Sequence, residues 1–104
     1  MTFDLIIENG LVVDGTGKAA YPAAVGITDE KISAIGDLSD SESQEKIDAT
    51  GHVITPGFID THCHSDGALL IDGQHAEGVR QGITTEIIAP DGLTYAPLNG
   101  PDYS

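Results

Sequence analysis

The chain has no tryptophan, one cysteine, and only four lysines and arginines. A lone cysteine cannot form an internal disulfide, and a reducing compartment is the simpler setting for it. The four basic residues stand against 17 acidic ones, which gives a net charge of −13. A charge of that sign repels phosphate backbones and anionic lipid, so the expected partners include neither nucleic acid nor a membrane surface. No apolar run approaches the ~20 residues of a membrane helix. The opening MTFDLIIENG lacks the basic segment and long apolar core of a secretory signal. The expectation is a cytoplasmic, soluble protein.

What is present suits a globular chain. Apolar residues make up 39% of the 104 and charged residues 20%, with thirteen glycines and five prolines to punctuate many short elements. FDLIIENG reads as a strand with Phe3, Leu5 and Ile7 on one face, closed by an Asn9-Gly10 turn signal. LVVDGTG is a second short run, and AAVGITDEKISAIG a hairpin about the polar turn Asp29-Glu30-Lys31. DLSDSESQEK reads as a solvated loop or a frayed helical turn. KIDATGHVITPG returns to a short strand, with Gly51 placed for a positive-φ turn.

After Pro56-Gly57 the pattern changes. FIDTHCH reads as a buried strand, Gln74 to Gln81 as a short helix stopped by Gly82, and ITTEIIAPDG as a further strand. Strand, helix and strand in about 35 residues is the length of a βαβ unit, with parallel strands and a right-handed crossover. The expected organisation is a β-meander over residues 1–55 and a βαβ unit over 56–104. One such unit cannot cover both faces of its own sheet. The chain therefore reads as the front part of something larger.

The chemistry concentrates in GFIDTHCHSD. Side chains alternate along a strand, so Asp60, His62 and His64 share one face while Thr61 and Cys63 take the other. At a rise of about 3.3 Å per residue the two histidine Cα atoms stand roughly 6.6 Å apart, within reach of one cation. Neutral imidazole is the commonest metal-ligating side chain. Two histidines hold a metal poorly, and Asp91, at the end of the next parallel strand, falls at the same sheet edge. Asp91 reads either as a third or bridging ligand or as the turn residue of Pro-Asp-Gly. Asp60 is a candidate for orienting an imidazole, or a strand-edge hydrogen-bonding group. Cys63 reads as a small buried hydrophobe rather than a ligand. His52 and His75 stand alone and read as structural or solvent-facing. DGTGK fails as a phosphate loop, because Val12 and Ala19 stand where a glycine and a hydroxyl residue belong.

The stretches DGTG, DATGHVITPGFIDTHCHSD and GITTEIIAPDGLTYAP resemble the amino-terminal part of the amidohydrolase superfamily, in its D-aminoacylase or N-acyl-D-amino-acid deacylase branch. The resemblance runs from about Phe3 to Leu98. It implies an α/β architecture in which an amino-terminal β-sandwich segment precedes the first βαβ unit of a (β/α)₈ TIM-type barrel, incomplete in this chain. It also implies that Phe58 to His64 is barrel strand 1, that His62 and His64 are metal ligands, and that TTEIIAPDG is strand 2. D-aminoacylases usually carry a cysteine ligand where this chain has Asp91. The resemblance implies one or two zinc ions, and because a carboxylate is harder than a thiolate, Mn²⁺ or Mg²⁺ is also accepted.

The resemblance further implies hydrolysis of the amide of a small molecule, an N-acyl-D-amino acid or a cyclic amide. The general base and the remaining ligands would come from later strands. A whole barrel takes about 250 residues. A second chain or a missing carboxy-terminal part would thus have to supply the remainder, with the assembly state left open and this chain inactive alone. The alternative reading is a non-catalytic module whose β-rich part serves as a docking surface.

Overall fold

The computed structural model describes residues 2–94. Their contacts divide between Pro56 and Gly57 into two compact units, each described by itself.

The amino-terminal unit is a five-stranded sheet. Strands β1 (Thr2–Val12), β2 (Tyr21–Thr28) and β3 (Lys31–Gly36) form an antiparallel meander. Strand β4 (Glu42–Asp48) then crosses to the far side of β1 and runs parallel to it, and β5 (Val53–Ile54) extends the same side beyond β4. The expected meander is therefore correct for three strands and wrong for the last two.

Three further features depart from expectation. Asn9-Gly10 does not turn the chain back. β1 continues through it with a register shift between Ile7 and Gly10, and Asn9 takes a φ of 64°. A β-bulge absorbs the turn-prone pair without ending the strand. A Cβ on Gly10 would stand 2.7 Å from Ile54 Cδ1, so the bulge needs glycine there. Secondly, the buried residues of β1 are Phe3 (2% exposed), Ile6 (0%), Gly10 and Val12, while Leu5 and Ile7 are only half-buried. Phe3 and Ile6 are three apart in a stretch without a register shift, so β1 buries one side chain on each face rather than a single alternating stripe. Thirdly, Glu42–Lys46, expected in the loop, belongs to a strand that runs to Asp48. Its side chains are mostly exposed and polar, as suits an edge strand that must not recruit another edge. Its backbone, rather than an apolar stripe, places it in the sheet.

The hairpin between β2 and β3 turns on Asp29 and Glu30, both at positive φ, the backbone of a tight primed turn. Gly51 is at φ 76°, as expected. Two Asp-x-Thr turns repeat one geometry. Asp14 Oδ1 accepts from Thr16 N at 3.0 Å and Oγ1 at 2.7 Å, and Asp48 Oδ1 accepts from Thr50 at the same two distances. In DGTGK the acceptor is thus a carboxylate already satisfied by its own turn, the reverse of a phosphate cradle.

The Thr50 hydroxyl, the Asn9 amide and the Thr50 N–H together hold the Asp48 carboxyl below its ordinary value of 3.8. With a depressed folded-state value, the stabilisation is complete above the ordinary value and is lost as pH falls through the folded one. Urea denaturation midpoints should therefore drop progressively between about pH 5 and pH 2. Asp48→Asn should flatten that drop, and an unchanged acid limb in the variant would contradict the assignment.

The carboxy-terminal unit holds β6 (Phe58–Asp60) and β7 (Ile83–Glu86), paired in parallel, with helices α1 (Asp66–Ile71) and α2 (Ala76–Arg80) in the connection. This is the expected βαβ order. The single helix over 74–81 is instead a shorter α2 preceded by a second helix, broken at Asp72, which is extended (φ −128°, ψ 94°). Gly82, at φ 81°, ends α2 as expected. The strands approach closely at Gly57, where a Cβ would lie 2.2 Å from Thr84 Cγ2. Large apolar side chains stay uncovered, among them Phe58 (57%), Ile59 (63%) and Ile71 (91%). Among the described residues no helix is long and apolar enough to cross a membrane. The end of the resembling stretch, from Tyr95 onward, lies outside the described residues.

Candidate metal centre

β6 ends at Asp60, so His62 and His64 stand on the turn beyond the strand rather than within it. This corrects the expectation of a strand running to His64. The turn has a visible cause: Asp60 Oδ1 accepts from the His62 N–H at 3.0 Å. Asp60 therefore shapes the backbone that carries His62, and does not meet an imidazole as one of its expected roles required. The Ile87 N–H donates to Asp60 O at 2.8 Å, so the two chain paths leave the sheet at the same edge.

Beyond β7 the chain turns through Ala89 (φ 68°) into a short 3₁₀ turn, Pro90–Gly92, with Asp91 itself at φ 59°. Aspartate tolerates that left-handed backbone better than most residues, and it sends the carboxylate back to the histidines. Asp91 Oδ2 lies 3.1 Å from His62 Nε2, and the two imidazole rings meet edge to face with centroids 5.6 Å apart. One ligand atom from each of His62, His64 and Asp91 lies within 4.8 Å of the other two. Asp91 is thus both turn residue and member of the group, and the two readings of it do not compete.

This donor set fits a divalent metal. At Zn–N distances of about 2.0–2.1 Å, two tetrahedral ligands stand roughly 3.3 Å apart, close to the His62–Asp91 separation. Two nitrogens and a carboxylate oxygen suit zinc, and the oxygen also admits manganese. All three side chains are exposed, so a metal here would keep open positions for water or substrate.

A second cluster lies on the other side of the turn, and sequence reasoning missed it. Cys63 is not one of the converging residues, and its Sγ donates to Glu86 Oε2 at 3.4 Å. Ser65 Oγ donates to the same oxygen, and His75 Nε2 meets Glu86 Oε1 at 2.6 Å. The Ser65 hydroxyl first, then His75 and Cys63, hold the Glu86 carboxyl below its ordinary value. His75, read as lone, is therefore paired, whereas the His52 ring meets its neighbour Thr50 O through Nδ1. A glutamate at the end of an Ile- and Thr-rich strand was the available signal. Ser65 donates to the carboxylate and not to His75, so the cluster is not arranged as a serine nucleophile with its base.

The D-aminoacylase of Alcaligenes xylosoxydans xylosoxydans is 38% identical over 96 residues, which is 92% of this chain and 20% of that protein. A solved D-aminoacylase, described with a binuclear metal centre, superposes with a TM-score of 0.87 at 42% identity, over 92% of this chain and 20% of its own. The N-acyl-D-glutamate deacylase of Bordetella bronchiseptica, solved with zinc and a phosphonate that mimics the tetrahedral intermediate, gives 0.90 at 34% identity, over 100% and 22%. The homologues of this chain are D-aminoacylases and N-acyl-D-glutamate deacylases of the amidohydrolase family. Within it, the D-aminoacylase branch is matched over its amino-terminal segment only. No family model matches. The chain spans about one fifth of the length of the D-aminoacylases it matches. The described fold is accordingly that of their amino-terminal portion, with the barrel incomplete.

Proposed function

We propose that this chain contributes His62, His64 and Asp91 to the metal centre of an amidohydrolase that cleaves an N-acyl-D-amino acid or a related cyclic amide. The convergence of those three ligand atoms within 4.8 Å, just beyond two parallel strands, is the observation that supports this reading. A bound divalent ion supplies Lewis acidity toward the amide carbonyl and lowers the pKa of a water. Zinc suits the two imidazoles, and Mn²⁺ remains an alternative because of Asp91.

The chain's own residues perform the holding. Asp60 fixes the His62 backbone, the left-handed turn at Asp91 returns a carboxylate to the rings, and the negative charge of Asp91 favours cation binding. The rest of the barrel, with the general base, belongs to further polypeptide, either a second chain or a longer precursor. Uncovered Phe58, Ile59 and Ile71 favour completion by such polypeptide over a free-standing module. The single cysteine favours the cytoplasm.

The test uses the protein purified with whatever polypeptide completes it. Release of free D-amino acid from N-acetyl-D-amino acids should vanish after dialysis against a chelator and return with Zn²⁺ or Mn²⁺. Turnover that survives complete metal removal would overturn the proposal.

A further inference from the structure

The Glu86 carboxylate is only 13% exposed and takes hydrogen-bonding partners on both oxygens. Oε2 receives the Ser65 hydroxyl and the Cys63 thiol, and Oε1 receives His75 Nε2, which must therefore carry the proton. Two of these partners flank His64 in sequence, and the third opens α2, at a φ of 46°. Glu86 is itself the last residue of β7, five positions before Asp91. One carboxylate thus ties the histidine-bearing turn to the strand that leads to Asp91 and to the start of α2. A Cβ on Gly78 would fall 2.9 Å from the His75 ring and 3.2 Å from Glu86 Oε1, so α2 packs closely against this knot.

We infer that Glu86 is a positioning residue: by holding Cys63 and Ser65 from behind, it fixes the turn on which His62 and His64 meet Asp91. Its hydrogen bonds reach neither imidazole of the pair, so it acts on the backbone that carries them. A loose turn between β6 and α1 would let His64 swing away, since its side chain is exposed. Glutamine in place of Glu86 keeps the size, can accept from His75 with its carbonyl, and can donate to Ser65, whose hydroxyl rotates to accept. Alanine removes all three ties.

The inference rests on the metal reading of the His62, His64 and Asp91 group, so the experiment separates the two. Full chain is titrated with Co²⁺ as the probe, and affinity and d–d absorption are recorded with folding monitored by circular dichroism. Glu86→Ala is expected to bind Co²⁺ about 10–100-fold more weakly, with an altered d–d band. Glu86→Gln should restore the band and return the affinity to within a few-fold of the unaltered chain. Should Glu86→Ala fail to fold, Ser65→Ala replaces it, with the same altered band and a smaller loss expected. A folded variant whose affinity and band match the unaltered chain overturns the positioning role. A His62→Ala/His64→Ala chain that binds Co²⁺ as well as the unaltered one removes the metal reading itself, and this inference with it.

Discussion

Replacing His62 and His64 together by alanine is expected to abolish specific binding of divalent metal to the chain and, on the proposed function, amide hydrolysis by the completed protein. The two imidazoles are two of the three donors that converge within 4.8 Å. Their loss leaves Asp91 as one exposed carboxylate on a chain already carrying −13, no different in kind from the other acidic side chains. The loss should exceed the roughly 10–100-fold that removal of a supporting residue costs. Neither ring is buried, so the substitutions should leave the melting transition of the metal-free chain nearly unchanged. Calorimetric titration with Zn²⁺ and a melting scan check both halves. Undiminished stoichiometric binding in the double variant would contradict the site.

Asp91 carries the second large effect. Asp91→Asn keeps the side-chain shape and a residue that tolerates φ 59°, but it removes the charge and one ligating oxygen. Affinity for Zn²⁺ should fall at least about tenfold while the turn survives. Asp91→Cys is the more informative change, because it exchanges a hard donor for a soft one. Zn²⁺ and Cd²⁺ should then be favoured over Mn²⁺ relative to the unaltered chain, against some backbone strain from a side chain less suited to the left-handed region. Competition titrations of Mn²⁺ against Zn²⁺ measure the shift. An unchanged ratio would mean that the residue at 91 does not touch the ion.

The candidate site was legible where its grouping depends on residue type, and less so where it depends on backbone. The His-x-His pair and an acid beyond the next strand could be read from residue spacing, because parallel strands deliver their carboxyl ends to one edge. What spacing could not reveal is that β6 stops at Asp60, since the cause is a side chain hydrogen-bonding to its own backbone two residues on. Glu86 was invisible for a related reason. Its three partners are brought together by the crossover, from positions 63, 65 and 75. In the amino-terminal unit, Asn9-Gly10 looked like a turn because those residues favour positive φ. Positive φ at Asn9 is what occurs, within a bulge that neighbouring strands hold in line. The strand start, Glu42–Lys46, escaped because an edge strand needs only backbone pairing, which leaves no apolar alternation to read.

The proposed function depends on one ion being held jointly by His62, His64 and Asp91. X-ray absorption at the zinc edge of the Zn²⁺-loaded full chain measures this most directly. The account predicts two imidazole scatterers with Zn–N distances of about 2.0–2.1 Å beside oxygen ligands, and loss of the imidazole signal in the double-histidine variant. A zinc shell of oxygen alone, or one containing the Cys63 sulfur at about 2.3 Å, would contradict it.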